Sequence, residues 1–264
     1  MVQIPKIAVF IPVRLGSSRL PKKPLIEVKG KSLIEHLIDR AKAAKLPNLV
    51  VLCTTNQPED KIFLDIAKKS SAECFRGSEH DILKRYLDAA VKFNVDFIVN
   101  VDGDDVFCDP ELMDKTVRTF LDTGASFIKW NNLPLGATPI GVKVDALRKV
   151  CEIKDTLNTE TGWGTYFTET GLFDVKCLEP EDNELKHPEI RITVDYSEDL
   201  KLVKEIYDRL YVPGKIFTLK DILKLLRNEP ALAEINKGVQ EEYWKRFKKR
   251  AGVKLKKPPQ QTHK

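Results

Sequence analysis

The chain predicts an α/β fold: a single doubly wound, mostly parallel sheet with a helical C-terminal appendage. Three observations support this. Apolar runs of strand length alternate with segments of helical period through the first half, joined by short loops. The first apolar run, Ile7 to Ile11, passes directly into a loop of small residues and fixed cations. Strand-like runs then give out, and residues 218–250 carry helical periodicity alone. At 264 residues with 42% hydrophobic and 31% charged content, the chain is long enough for one large α/β domain or two small ones.

The elements follow in order. A strand is expected over 7–13. A helix follows from Ser32, with Leu33, Ile34, Leu37, Ile38 and Ala41 on one face. Ser32 and Glu35 have the spacing of a capping box. Next come a strand at 49–53, a helix at 58–70, a strand at 73–76, a helix at 79–94 and a strand at 96–101. A helix begins at Pro110, and residues 126–130 form another strand. Beyond 131 the pattern loosens to a turn, a strand near 139–144 and a helix after Asp145. Residues 155–171 are rich in Thr and Gly and read as a loop or arm. Strands near 173–178 and 190–194 and a helix at 197–211, capped by Ser197, complete this part. The expected organisation is one unit over 1–244, with an arm region at about 131–190, and a flexible basic tail over 245–264.

Charge is unevenly placed. The net charge is +5, but residues 245–264 hold nine Lys or Arg and no acid, which leaves 35 basic against 39 acidic residues in the body. A basic tail can meet nucleic acid or anionic lipid, but is more often a solvated chain end. No run of 18 apolar residues is present and the start lacks a signal-peptide core, so a cytoplasmic protein with no membrane contact is expected. The five cysteines are scattered, with no Cys-x-x-Cys pair, and are expected to be reduced and mostly buried. The four histidines are isolated and suggest packing or surface roles.

The loop after the first strand holds Arg14, Gly16, Ser17, Ser18, Arg19, Lys22 and Lys23. Small residues let backbone N–H groups approach phosphate oxygens, and Arg and Lys add charge-assisted contacts. At the carboxyl end of a first strand, such a loop faces the crevice where open α/β sheets bind ligands. Neither common glycine-rich nucleotide loop is present. A cation-rich cradle suits a triphosphate whose pyrophosphate leaves with added charge. A second run, Asn100-Val101-Asp102-Gly103-Asp104-Asp105, ends another apolar strand. Oxygen donors at a strand end suit Mg²⁺ rather than Zn²⁺. Thr54 and Thr55 end the second long strand, where they could either touch a base or simply cap the strand.

IPVRLGSSRLPKKPL resembles the opening of the sugar-acid cytidylyltransferases. Both the 3-deoxy-manno-octulosonate enzymes and the spore-coat polysaccharide family share R-x-x-S-[ST]-R-L-P-x-K-x-L. Where these families usually carry Gly before the lysine, this chain has Lys22. IVNVDGDDVFCDPEL resembles their N-V-Q-G-D-E-P segment, with Asp102 in place of Gln or Thr. ITVDYSEDL matches their late V-D-x-x-E-D-L, and Arg76–Tyr86 resembles the spore-coat R-G-S-E-x-D-V-L-x-R-Y element.

The resemblance implies a sheet of the nucleotide-diphospho-sugar transferase type. It also implies a Mg²⁺-dependent transfer of CMP from CTP to a nonulosonic or ulosonic acid, releasing pyrophosphate for surface glycan synthesis. Arg14, Lys23 and Asp104 would be catalytic. Arg14, Gly16, Ser17, Ser18, Arg19, Lys22, Lys23, Thr54, Ser78, Asp81, Arg85 and Asp102 would surround the nucleotide, and Asp104 and Asp195 would hold Mg²⁺. Trp163, Tyr166 and Phe167 would line an acceptor pocket or an arm-mediated homodimer contact. Three rival readings exist. A phosphorylated or phosphonate acceptor keeps the chemistry. A nucleotide-sugar glycosyltransferase would use Asp102-Gly103-Asp104 as its D-x-D. A nucleic-acid-binding protein would work through the basic tail.

Overall fold

The computed structural model describes residues 4–16, 19–250 and 252–256. In chain order the elements begin with β1 (Ile7–Pro12), a short hairpin of β2 (Glu27–Val28) and β3 (Lys31–Ser32), and α1 (Leu33–Ala43). Then come β4 (Leu49–Thr55), α2 (Ile62–Lys69), β5 (Glu73–Gly77), α3 (Ile82–Phe93), β6 (Phe97–Asn100), α4 (Pro110–Thr123), β7 (Phe127–Trp130), β8 (Ile140–Lys143) and α5 (Val144–Ile153). The last part holds α6 (Thr165–Thr168), β9 (Val175–Leu178), α7 (Ser197–Leu210), α8 (Leu219–Asn228), α9 (Pro230–Glu234) and α10 (Gln240–Arg250).

Seven strands form one sheet in the order β5-β4-β1-β6-β8-β7-β9. All pairings are parallel except those of β8, which runs antiparallel to both β6 and β7. The sheet is therefore mostly parallel, as expected, with one reversed strand inserted near its middle. Helices cover both faces. α1, α2 and α4 bury Ile34, Leu37, Phe63, Met113 and Val117 against one face. α3 and α5, with Trp163, Tyr166 and Phe167, cover the other. A third apolar cluster joins α7, α8 and α9 to Val106, Phe107, Ile192 and Val194, which seats the helical C-terminal part beside the strand ends.

Local chemistry accounts for the element ends. Ser32 and Glu35 form the expected capping box on α1. Asp109 caps α4 through the Glu111 N–H, and its other oxygen accepts the N–H of Leu219 where α8 begins. The buried Arg40 of α1 donates to the carbonyls of Cys108, Phe217 and Phe107, tying three distant segments together.

Several expected elements differ. The strand expected at 190–194 is extended chain whose only bridge joins Arg191 to Leu135. Its alternating apolar residues are buried, but in the third cluster rather than in the sheet. The 58–70 helix opens as a 3₁₀ turn over Pro58–Lys61, and α3 begins only after Asp81, which caps it. Helix α7 starts at Ser197, so Tyr196 rather than Ser197 precedes it as the cap residue. The helical stretch from 218 breaks at Pro230 and again near Asn236.

The segment expected as a free basic tail instead continues α10 to Arg250. Residues 252–256 then lie against the body, where Leu255 bridges Lys154 and Val253 packs on the second cluster. Residues 251 and 257–264 lie outside the described residues. All five cysteines are free: Cys53 and Cys108 are buried, Cys74 and Cys151 half-buried and Cys177 exposed. Among the described residues no helix is long and apolar enough to cross a membrane.

Candidate active site

A cavity of about 610 Å³ opens at the carboxyl ends of β1 and β6. That is an ordinary size for a small-molecule site. Three segments distant in sequence meet there. The loop after β1 brings Arg14, Gly16, Arg19 and Lys23. The loop after β6 brings Asp102, Gly103, Asp104 and Asp105. The extended segment after residue 190 brings Thr193 and Asp195.

Backbone contacts hold these segments in place. The Val101 N–H donates to the Phe10 carbonyl, and Val194 N–H donates to the Asp104 carbonyl at 3.0 Å. Gly103 lies so close to the end of β1 that an added Cβ would sit 2.3 Å from the Pro12 carbonyl oxygen. Gly136, at φ +103°, packs as tightly on the backbone of Thr193. Glycine is thus needed where the acid loop meets β1 and where the 190–195 segment is braced. Gly16, inside the basic loop, faces open space.

Lys23 is the centre of the arrangement. Its ammonium donates to Asp104 Oδ2 at 2.9 Å, to the Val194 carbonyl at 2.5 Å and to Asp195 Oδ1 at 3.3 Å. Arg19 Nη2 donates to the same Asp195 oxygen at 2.6 Å, and its guanidinium lies 5.1 Å from the Tyr196 ring. Asp195 is fixed from behind. Arg191 Nη2 donates to its other oxygen at 3.2 Å, and the Asp199 carboxylate accepts the Asp195 N–H at 2.9 Å. Arg191 also pairs with Asp199 at 2.9 Å, and Asn236 donates to Asp199 at 2.8 Å. The helical appendage therefore positions Asp195.

The acids crowd one another. Asp102, Asp104 and Asp105 each place a carboxylate oxygen within 4.8 Å of the others. Burial, then the charge of Asp104, pushes Asp102 up to about 6. Burial and its two acidic neighbours push Asp105 well above the usual range. Burial opposes the charge on Asp104 too, but Lys23 outweighs it and holds that carboxyl low. Burial and Asp104 raise Asp195 despite its cationic neighbours. Four carboxyl groups thus gather beside Lys23 and Arg19 at the cavity, and their donor atoms are all oxygen. That set fits a hard divalent cation such as Mg²⁺. The Asp104 side chain keeps 29% of its exposure, so a ligand can reach it.

A second side of the cavity is built from the 155–171 segment. Asp81 caps α3 through the Lys84 N–H at 3.2 Å, accepts from the Thr159 hydroxyl at 2.8 Å and pairs with the Lys154 ammonium. This buried pair pins the segment to α3. Arg85 then donates to the Ser78 carbonyl at 2.5 Å and to Glu160 Oε1 at 2.9 Å. Arg14 lies 3.5 Å from the other Glu160 oxygen. On the adjacent strand, Asn100 donates to Asp102 at 3.0 Å and accepts from the Tyr86 hydroxyl.

Of the residues expected at the nucleotide or the metal, the structure brings together Arg14, Gly16, Arg19, Lys23, Arg85, Asp102, Asp104 and Asp195 around the cavity. Four others lie elsewhere. Thr54 is fully buried in β4. Ser78 accepts the Asp81 N–H. Asp81 is occupied by Lys154 and Thr159. Lys22 is exposed and left-handed, at φ 52°. That backbone conformation accounts for the glycine usual at this position in the families the loop resembles. Ser17 and Ser18 lie outside the described residues. Thr55, beside Thr54, is buried and donates to Asp60 rather than lining the cavity.

Sequence reasoning gave no role to Asp105, Glu160, Lys129 or Tyr243, all of which line the cavity. Asp105 carried a signal, since it continues the acidic run. Tyr243, from α10, stacks 4.7 Å from the Arg191 guanidinium and carried none. Trp163 lines the cavity, whereas Tyr166 and Phe167 are buried in the chain's own core.

A family model described as Cytidylyltransferase matches residues 8–173. The chain is 27% identical to the spore coat polysaccharide biosynthesis protein SpsF of Bacillus subtilis, over 86% of this chain and 97% of that protein. It is 37% identical over 127 residues to a 3-deoxy-manno-octulosonate cytidylyltransferase of Brucella ovis, covering 46% of this chain and 49% of that enzyme. Among solved structures, a cytidylyltransferase from Leptospira borgpetersenii superposes with a TM-score of 0.78 at 26% identity, over 87% of this chain and 97% of that one.

Proposed function

From the premise that this chain belongs to the cytidylyltransferase family, we propose that it transfers CMP from CTP to a sugar acid in a Mg²⁺-dependent reaction that releases pyrophosphate. The observation that carries this reading is the position of Lys23 between Asp104 and Asp195. It draws together the phosphate-type loop and both expected metal acids at one end of the sheet. A sugar acid as acceptor is supported by the name of the relative in Brucella, and a role in polysaccharide synthesis by that of the relative in Bacillus. The product would feed polysaccharide or glycan synthesis.

Each residue then has a task. Arg14, Arg19 and Lys23 offer charge-assisted donors to the triphosphate, and gain most where charge develops on the departing pyrophosphate. Asp104 and Asp195, with Asp102 and Asp105 beside them, would hold Mg²⁺. The ion would supply charge neutralisation and polarise the phosphate oxygens. The acceptor hydroxyl oxygen forms the new bond to the α-phosphorus as the bond to the β-phosphate breaks opposite to it. Pyrophosphate leaves with that electron pair, and the hydroxyl proton passes to solvent. Positioning supplies most of the rate, as in phosphoryl transfer generally.

The test compares thermal shifts with CTP, UTP, ATP and GTP, each with and without Mg²⁺. Ligand at about 100 times its Kd stabilises by roughly 2.7 kcal/mol. Over a chain of this size that is a rise of several degrees. The expected result is a large shift with CTP and Mg²⁺ alone, which Asp104→Asn abolishes while the protein stays folded. Equal shifts with all four triphosphates, or full pyrophosphate release by Asp104→Asn, would overturn the assignment.

A further inference from the structure

Among the described residues five cations line the cavity. Four of them are engaged: Lys23 with Asp104 and Asp195, Arg19 with Asp195, and Arg85 and Arg14 with Glu160. The fifth is Lys129 of β7. It is half-buried and has no hydrogen-bond or ion-pair partner among the described residues. A half-buried ammonium with no partner is costly in a protein and gains strongly from an incoming anion.

The sheet fixes where this cation stands. Asn100, two residues before Asp102, lies opposite Ile140 of β8. Ile128 of β7 lies opposite Gly141, so the same register brings Lys129 beside Ile140. Two strand spacings therefore separate Lys129 from Asn100, roughly 10 Å. Lys129 shares a face of β7 with Phe127, whose ring stacks on Phe167 at 4.8 Å and meets Trp163 edge-on. The 161–168 segment that packs on Phe127 lines the same cavity, with Thr161, Thr165, Thr168 and the glycines flanking Trp163. Hydroxyls, open backbone and an indole suit a polyol ring.

We propose that Lys129 and the 161–168 segment form the acceptor subsite, with the Lys129 ammonium taking the acceptor's carboxylate; this rests on the cytidylyltransferase reading above. The charge balance favours a carboxylate over a phosphate monoester. One unpaired ammonium matches a single negative charge, whereas a phosphate monoester brings close to two charges and three strong acceptor oxygens. In ulosonic and nonulosonic acids the carboxylate stands on the same carbon as the attacking hydroxyl. Holding one therefore aims the other at the α-phosphorus. Lys129 acts as a positioning and specificity-determining residue.

The test uses the full chain with CTP and Mg²⁺, measuring pyrophosphate release with 3-deoxy-manno-octulosonate, N-acetylneuraminate, the methyl ester of each, and a phosphorylated polyol. The wild type is expected to prefer an acid over its ester by roughly 100-fold in kcat/KM. Lys129→Met should raise the KM for the acid about tenfold or more and bring acid and ester to similar rates. Its KM for CTP and its CTP-dependent thermal shift should stay unchanged, which also reports that the variant is folded. Lys129→Arg should recover part of the preference. An unchanged acid KM in Lys129→Met, or an acid preference that survives it, overturns the proposal. So does turnover of the phosphorylated polyol with no turnover of either acid, which leaves the CTP reading standing. Failure to bind CTP at all removes the underlying reading, and this inference with it.

Discussion

Replacing Gly103 with Ala tests whether the acid loop is held by contact with the first strand. The new Cβ would lie 2.3 Å from the Pro12 carbonyl oxygen, where ordinary contact begins near 3.4 Å. About 1 Å of movement is therefore required. Pro12 belongs to β1, which is paired on both sides by β4 and β6, so the acid loop is the part that gives. Overpacking of this kind costs about 1–3 kcal/mol. For a chain of this length that lowers Tm by roughly 2–10 °C. The larger effect falls on chemistry, because a displacement of about 1 Å at a reacting centre costs on the order of 10²-fold in rate. Pyrophosphate release with CTP and a sugar acid, beside a calorimetric melt, reads both quantities. Gly238→Ala, away from the cavity, is the control, since its Cβ meets nothing within 4 Å, and both readouts should match the wild type. A Gly103→Ala protein with wild-type Tm and kcat/KM within about threefold of wild type would refute the reasoning.

Two further outcomes are expected. Asp81→Ala leaves the buried Lys154 ammonium without its carboxylate, so urea denaturation should show a loss of about 3–5 kcal/mol. A loss under about 1 kcal/mol would show that the pair does not pin the 155–160 segment. Glu35 offers a pH test. Partial burial works against its charge, but the Ser32 hydroxyl and N–H and the Lys69 ammonium prevail and hold the carboxyl at about 2. A carboxyl lowered on folding adds stability above its unfolded value near 4.5, and that stability is lost as pH falls toward 2. Screened by solvent, the contribution is roughly 1 kcal/mol. Glu35→Gln should flatten the pH dependence of stability between 4.5 and 2 by this amount, and an unchanged slope would count against it.

The parallel half of the sheet was legible because burial on both faces leaves continuous apolar runs, as in Val50–Cys53 and Phe97–Val99. The reversal at β8 was not. Its four residues, Ile140–Lys143, carry no mark of direction, since an antiparallel strand buried between two others has the same apolar character. The segment at 190–194 shows the converse limit. Alternation reports which side chains are buried, and Ile192 and Val194 are buried, but says nothing of where the backbone hydrogen bonds go. In the site, Arg19, Lys23, Asp104 and Asp195 sit in dense local motifs and were found. Lys129, Glu160 and Tyr243 reach the cavity through long-range placement alone. Asp81 and Ser78 sat in a motif too, yet their side chains serve the turn into α3.

The C-terminal segment has a consequence in time. Asp195 is anchored by Arg191, Asp199 and Asn236. Beyond them, Tyr243 lies against Arg191, and Lys254 and Lys256 exchange backbone hydrogen bonds with Asp155 and Ile153. The ribosome delivers the phosphate-type loop before the sheet is complete and these fastenings only after it. A nascent chain that has emerged through β9 already holds its whole sheet and Asp104, but Asp195 and its supports are still to come. Catalytic competence therefore waits for residues 191–256, after the sheet that carries the rest of the site is complete.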